Sequence, residues 1–246
     1  MSHHFLEVKD LHYSYPDGTE ALKKVSFRLE HGEAVGLVGA NGAGKSTLLL
    51  AVAGLVFSGS GTVNIGGTIL SRTTVKEIRR RLGFIFQDPE DQLFMPTVLD
   101  DVAFGPLNQG LSPAQASLRA EEALRSVGAG HLADRPAYRL SGGEKRAVSI
   151  ATVLSMLPDI LVMDEPSSGL DPRSRRLLID LLGKFTHTRL IATHDLDLVL
   201  DICPRTIILH RGEVAADGPT PEIFRDIPLL ERCNLEPPLC MQRARS

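Results

Sequence analysis

The sequence predicts an α/β fold: a mostly parallel sheet covered on both faces, an antiparallel β-layer ahead of it and a helical lobe inserted into it. Three observations carry that expectation. Short apolar runs at 160–163, 189–193 and 206–209 alternate with helical stretches, and such strands belong to parallel sheets buried on both faces. Residues 5–15 and 22–29 alternate loosely instead, around the turn Pro16-Asp17-Gly18, as half-buried strands do. From Thr97 to about Leu157 the pattern is mainly helical.

Composition sets the outer limits. With 246 residues, 43% of them hydrophobic, the chain can bury a sizeable core, as one large α/β domain or as one domain with a lobe inserted. A net charge of −3 gives no electrostatic case for nucleic acid, which usually calls for a basic stripe or arm. The basic tail Arg243-Ala244-Arg245 is short and expected to be solvated. Cys203, Cys233 and Cys240 show no C-x-x-C spacing and no nearby histidine pair, so they read as idle thiols rather than a disulfide or zinc framework. His3-His4 reads as a loose terminus, not a metal site. No apolar run approaches the roughly 20 residues that span a bilayer. The longest, 48–57, is interrupted by Gly54, and the first residues lack the regions of a signal peptide. A soluble, cytoplasmic chain is expected.

In chain order, the two alternating strands are followed by a buried strand ending near Val38, a glycine-rich turn and a helix from Lys45. Residues 61–67 read as a further strand of the antiparallel layer, 75–82 as a short basic helix and 83–86 as a buried strand. Within the helical block, Ser112-Pro113 makes an N-cap and first-turn pair, and the alanine-rich face runs to Val127 before Gly128. The core resumes at 160–163, with a helix over 172–184, a strand over 189–193, a helix through Leu200 and a strand over 206–209. After Gly218 a Pro- and Leu-rich segment forms a small unit. The expected division is therefore 1–88 with 157–218 as the core, 89–156 as the lobe and 219–246 as a short extension.

Chemistry concentrates in the turn after the third strand. Gly39, Gly44, Lys45 and Ser46 satisfy G-x-x-x-x-G-K-[ST] between a strand and a helix. Glycines let the loop Ala40-Asn41-Gly42-Ala43 wrap with its backbone N–H groups inward, and the helix N-terminus adds partial positive charge where phosphates would sit. Lys45 would reach the β- and γ-phosphates and the Ser46 hydroxyl would ligate Mg²⁺, which points to a nucleoside triphosphate.

Two further stretches bear on that site. Asp164-Glu165 closes an apolar strand. By itself this is as well explained by a solvated loop; with the phosphate loop upstream, Asp164 can hold Mg²⁺ through water and Glu165 can orient or deprotonate the attacking water. Leu140-Ser141-Gly142-Gly143-Glu144 fits a capping box at a helix start. Two glycines in a first helical turn cost roughly 1 kcal/mol each against alanine, and a plain cap would not need them. Their bare amides, the Ser141 hydroxyl and the helix N-terminus together make a second anion-binding surface.

Taken in order and spacing, residues 39–47, Gln87, 140–144, 161–165, Ser167-Ser168-Gly169-Leu170-Asp171 and His194 resemble the ATP-binding cassette ATPases, over roughly residues 5–220. The resemblance implies a P-loop NTPase (RecA-like) core that binds ATP and Mg²⁺ and hydrolyses ATP. It places Tyr15 against adenine, Asn41, Gly42, Ala43, Gly44, Lys45, Ser46 and Thr47 around the phosphates, and Ser46, Gln87 and Asp164 on the magnesium side. Glu165 is implied as catalytic base and His194 as the switch at the γ-phosphate. Ser141, Gly142 and Gly143 are implied to face the ATP of a second copy, so that two chains sandwich two nucleotides.

A narrower resemblance follows Gln87. Phe86-Gln87-Asp88-Pro89-Glu90-Asp91-Gln92-Leu93-Phe94, with Tyr13-Ser14-Tyr15-Pro16-Asp17-Gly18 and residues 218–224, is similar to the ATPase subunits of energy-coupling factor importers. Those import vitamins or the metals cobalt and nickel, and a single ATPase with a short extension resembles the cobalt/nickel type more. The implied partners are integral membrane subunits docking near residues 87–97, with the chain peripheral on the cytoplasmic side. Leu93, Phe94 and Met95 are the candidate docking anchors; anchoring the lobe to its own core is the alternative. A soluble cassette ATPase, such as one for iron–sulfur assembly, is the other class of function. A nucleotide-binding regulator without turnover is disfavoured by Lys45, Asp164, Glu165 and His194.

Overall fold

The computed structural model describes residues 5–57 and 59–242, so the histidine pair and the basic tail lie outside the described residues. Four strands, β1 (Leu6–Ser14), β2 (Glu20–Leu29), β4 (Ser60–Ile65) and β5 (Thr68–Ile69), form an antiparallel sheet in the order β2-β1-β4-β5. Between them in sequence comes β3 (Ala34–Val38), which belongs to a second sheet with β6 (Leu82–Ile85), β7 (Ile160–Asp164), β8 (Thr188–Ala192), β9 (Arg205–His210) and β10 (Glu213–Pro219). The order there is β10-β9-β3-β8-β7-β6, parallel except for β10, which pairs antiparallel with β9. Every residue of β3, β7 and β8 is buried, as their apolar runs require of strands covered on both faces.

Helix α1 (Lys45–Val52) lies between the two sheets, its Leu48, Leu49 and Val52 sharing a core with Leu6, Leu22 and Leu29 of the antiparallel layer. Short α2 (Val75–Arg81) leads straight into β6. Leu82 is already extended, so the basic helix stops one residue earlier than the sequence suggests and the strand starts one residue sooner. The opposite face of the parallel sheet is covered by α6 (Pro172–Gly183) and α7 (Leu196–Ile202), joined by residues from α8 (Thr220–Ile223) and α9 (Ile227–Arg232). Phe224 and Leu230 are fully buried there, so the segment after Gly218 completes the core.

The helical block resolves into α3 (Val98–Asn108), α4 (Pro113–Ser126) and α5 (Gly142–Leu154), which share a core of Val98, Val102, Ala120, Leu124, Val148 and Ala151. Ser112 caps α4 in a reciprocal capping box with Gln115, and Pro113 takes the first turn as the sequence predicts. The chain ends its described part in the four-residue α10 (Leu239–Gln242). Strands β5 and β10 are elements that sequence reasoning missed, and β10 is the longer. Its burial alternates between exposed and half-buried, and four of its residues are Ala, Ala, Asp and Gly, poor strand formers held here by pairing with β9.

The topology fixes where chemistry can happen. Neighbouring parallel strands β3, β8, β7 and β6 all finish on one edge of the sheet, so their following loops stand in a row. In that row come the glycine-rich turn, Thr193-His194, Asp164-Glu165 and Phe86-Gln87. Ligands of open α/β sheets bind at such carboxyl ends.

Candidate nucleotide site

The glycine-rich turn is shaped from behind by its own fold. Gly44 has φ +105°, and a Cβ there would stand 2.5 Å from the Ala21 carbonyl oxygen, so no other residue fits. The first intrahelical bond of α1 runs from Leu48 N–H to Gly44 O at 2.9 Å, leaving the amides of Lys45, Ser46 and Thr47 for an anion. Asn41 and Gly42 are exposed at the crest, while Ala43 is buried and its carbonyl accepts from Gly212 N–H at 3.0 Å. The Lys45 side chain is buried, and its ammonium folds back along the loop to Gly39 O at 2.7 Å and Ala40 O at 3.4 Å. Tyr15, partly exposed, donates or accepts a 2.8 Å bond with Thr47 Oγ1 and stands edge-on to Tyr13, which fixes its ring beside the loop.

Next along the row, the Ser46 hydroxyl stands close enough to the buried Asp164 carboxylate to act on its charge, and Asp164 Oδ1 has no hydrogen-bond partner among the described residues. Burial holds the Asp164 carboxyl above its ordinary range and the Glu165 charge adds to that, against the pull of the Ser46 hydroxyl and the Lys45 ammonium. A hydroxyl beside a buried, unsatisfied carboxylate oxygen is the donor set of a hard cation, and Mg²⁺ fits it.

Glu165 carries a feature no sequence pattern could show. Its φ is +44°, a conformation that costs a non-glycine residue about 1–3 kcal/mol. Its own bonds oppose that cost: Glu165 N–H donates to Ala192 O at 2.8 Å, and Oε2 accepts from Thr193 Oγ1 at 2.9 Å and His194 N–H at 3.2 Å. His194 Nδ1 lies 2.8 Å from the same oxygen. With Nδ1 as donor, the rest of this largely exposed imidazole, Nε2 included, is presented outward. The structure thus brings Lys45, Ser46 and Asp164 together, and Glu165 with His194.

Gln87 and Gly142 lie on another groove, with Ser141 and Gly143 beside Gly142 in sequence. Gln87 is exposed and lines a groove of about 480 Å³ with Gly142, Lys145, Arg146 and Ser168. Ser141 and Glu144 form the capping box in full: Glu144 N–H donates to Ser141 Oγ at 3.3 Å and Ser141 N–H to Glu144 Oε2 at 2.7 Å. The plain structural reading of this motif is therefore correct as far as it goes, and it explains half of the glycine pair. A Cβ on Gly143 would meet Ser174 Oγ at 2.4 Å, so α5 packs against the start of α6 through that glycine. On Gly142 a Cβ would meet nothing within 4 Å, and nothing in this chain requires its bareness.

A family model described as ABC transporter matches residues 22–168. The chain belongs to the ABC transporter ATPases. A putative ABC transporter ATP-binding protein of Geobacter sulfurreducens is 61% identical over 98% of this chain and 97% of its own length. The energy-coupling factor transporter ATP-binding protein EcfA of Methanosphaera stadtmanae is 45% identical over 95% of this chain and 86% of its own. Among solved structures, cbiO1 of Clostridium perfringens, part of the ABC transporter complex cbiONQ, superposes with TM-score 0.82 at 36% identity, covering 93% of this chain and 94% of that one. The ATP-binding cassette MJ0796, dimeric in a post-hydrolysis state with ADP and Pi, superposes with TM-score 0.77 at 29% identity over 87% of this chain and 98% of that one. The chain is thus an ATP-hydrolysing cassette with the α/β core, antiparallel layer and helices that the sequence predicts, and its relatives include energy-coupling factor ATPases.

Two residues of this cassette escaped the sequence reading. Arg146 is buried at 2% exposure, the largest side chain so enclosed, and its guanidinium donates to the carbonyls of Phe86, at 2.7 Å, and Gln87. Asp195 accepts a bidentate pair from Arg175 at 2.6 and 2.7 Å, a 3.1 Å bond from Ser167 Oγ and the Leu198 N–H at the start of α7. Burial would raise the Asp195 carboxyl, and the Arg175 fork with the other donors more than offsets it, holding the group below its usual range. His194 and the 167–171 loop are thereby tied to one carboxylate. The spacing of Arg175 and Asp195 offers no signal for this, since the pair closes across two helices.

A second groove, of about 470 Å³ and mainly apolar, opens between β6 and α3, lined by Phe84, Phe86, Phe94, Phe104 and the stems of Lys76 and Arg79. The candidate anchors do not act together: Leu93 packs on the lobe core, Met95 is half-buried, and Phe94 stands out at 62% exposure, edge-on to Phe104. Among the described residues no helix is long and apolar enough to cross a membrane.

Proposed function

We propose that two copies of this chain sandwich two MgATP and drive an integral membrane importer of the energy-coupling factor type, with cobalt or nickel as cargo. Gly142 carries the dimer reading: a Cβ there would meet nothing within 4 Å, so the glycine answers no demand of its own chain and fits a close approach from outside. The dimeric cassette bound to ADP and Pi supports that arrangement, and cbiO1 supports the importer class. In this reading Lys45 and the amides of Lys45, Ser46 and Thr47 bind the β- and γ-phosphates, and Tyr15 stacks on adenine. Ser46, Asp164 and Gln87 would hold Mg²⁺, which would neutralise phosphate charge.

Glu165 orients the attacking water and takes its proton, while His194, held to Glu165 through Nδ1, presents its outer edge to the γ-phosphate. Ser141 and the amides of Gly142 and Gly143 close over the γ-phosphate of the second copy. The helical lobe, 89–156, acts as a unit against the core, and membrane subunits dock on its groove near residues 87–97, placing the chain on the cytoplasmic side of the membrane.

Glu165→Gln tests the assignment. The amide keeps an oxygen for Thr193 and His194 but cannot accept the proton, so turnover should fall about 10²–10⁴-fold with ATP affinity retained. Light scattering with MgATP should then show a trapped dimer. A variant that hydrolyses normally, or stays monomeric, overturns the reading.

A further inference from the structure

We infer that Arg146 is a positioning residue for hydrolysis, setting where Gln87 stands by gripping the main chain at the end of β6 from the helix that begins with Ser141 and Gly142. The grip has several points. Nη1 and Nη2 take the successive carbonyls of Phe86 and Gln87, which suits a planar fork and not the single point charge of lysine. One residue earlier on α5, Lys145 pairs with Glu90. Gln92 closes the loop from its far end, accepting from Phe86 N–H at 2.9 Å and donating to Ser149 O at 3.4 Å and Thr152 Oγ1 at 3.3 Å.

Loop 86–92 is therefore fastened to α5 along its length, while β6 carries it from the core side. Any shift of α5 relative to the core is delivered to Gln87 as a displacement of its own backbone carbonyl. Gln87 and Gly142 border the same groove, and Arg146, on the helix that Gly142 begins, links the position of one to that of the other. A partner nucleotide that draws Gly142 in would, through Arg146, also set Gln87 against the magnesium side of the chain's own site. The inference rests on the reading of Gln87 as a ligand there.

The test uses the full chain with Arg146→Met, Arg146→Lys, Gln87→Ala and the double variant Arg146→Met/Gln87→Ala. In Arg146→Met, hydrogen exchange of the 86–92 amides should accelerate about tenfold or more, with α5 beyond Val148 still protected. Its kcat should fall about 10²-fold, like that of Gln87→Ala, while KM for MgATP moves less than about threefold. The double variant should be no slower than Gln87→Ala alone, because a displaced side chain that is already absent costs nothing more. Arg146→Lys should recover part of the rate.

Faster exchange spread evenly over α3, α4 and α5 makes Arg146 a general support of the lobe and overturns the inference. So does a double variant slower by the product of the two single effects. A slow Gln87→Ala chain beside an unimpaired Arg146→Met chain overturns the role of Arg146 alone. An undiminished Gln87→Ala chain overturns the reading of Gln87 itself and the inference with it.

Discussion

Truncating Phe94 separates a docking surface from a core anchor, because the structure sets the two expected magnitudes far apart. Phe94 is 62% exposed, and its ring contact is the edge-on pair with Phe104, at 5.1 Å between centroids and 87° between planes. Such a pair contributes about 0.5–1.5 kcal/mol, so Phe94→Ala should lower the melting temperature of the isolated chain by only about 1–6 °C. Were Phe94 a core residue, the cost would be about 3–5 kcal/mol and the drop about 6–20 °C.

The same truncation at the centre of a partner interface should cost about 2 kcal/mol or more of binding, roughly thirtyfold in affinity. The assay pairs thermal melting of the purified chain with recovery of membrane subunits on the tagged chain from its native membranes. ATP turnover of the soluble chain should survive, and assembly and uptake should fall. A melting drop in the larger range, or recovery of membrane subunits equal to that of the unaltered chain, refutes the docking argument.

Other perturbations follow from single contacts. Ser141→Arg removes an N-cap, which costs about 1 kcal/mol, and fills the space in front of Gly142; hydrolysis should stop while the isolated chain still binds ATP. Loss of ATP binding by equilibrium dialysis would place Ser141 in its own chain's pocket instead. Asp101 is buried, accepts the N–H groups of Phe94 and Met95 at 2.8 and 2.9 Å, and leaves Oδ2 without a partner among the described residues. Burial pushes its carboxyl above the ordinary range, so the folded chain keeps this proton where the unfolded chain releases it, and ionised Asp101 costs stability as pH rises through the raised value. Asp101→Asn keeps an acceptor and removes the charge. It should therefore melt at or above the unaltered chain at neutral pH, and the advantage should fade toward about pH 4. A variant clearly less stable at neutral pH refutes the sign.

What the sequence could show and what it could not divide along physical lines. Residues whose role depends on near neighbours were legible: Gly44 and Lys45 in one turn, Ser112 with Gln115, Ser141 with Glu144, and buried strands β7 and β8 in their own apolar runs. Tyr15 entered only through the family resemblance, as a partner of adenine, and its bond to Thr47 left no trace in the sequence. Contacts that close over long separations left no local trace. Arg146 meets Phe86 and Gln87 from about sixty residues away, Arg175 meets Asp195 across α6 and α7, and β10 exists because β9 lies beside it. Glu165 shows the limit most plainly: its identity was readable, and its left-handed backbone was not.

That backbone conformation bears on how the site works. β7 and β8 run side by side, and Glu165 N–H reaches Ala192 O, so the strain at Glu165 is imposed by a neighbouring strand rather than by its own residues. The turn at φ +44° leaves the carboxylate against the next loop in the row, where Thr193 and His194 supply three donors to one oxygen. An extended residue at 165 would continue along β7, away from that loop. The conformational cost of about 1–3 kcal/mol is thus the condition for holding Glu165 and His194 as one unit. By the same logic Asp195, one residue past His194, is held by Arg175 and Ser167, so a shift in the 167–171 loop reaches His194 through a single carboxylate. The order of the strands, more than any one motif, places these loops within reach of one another.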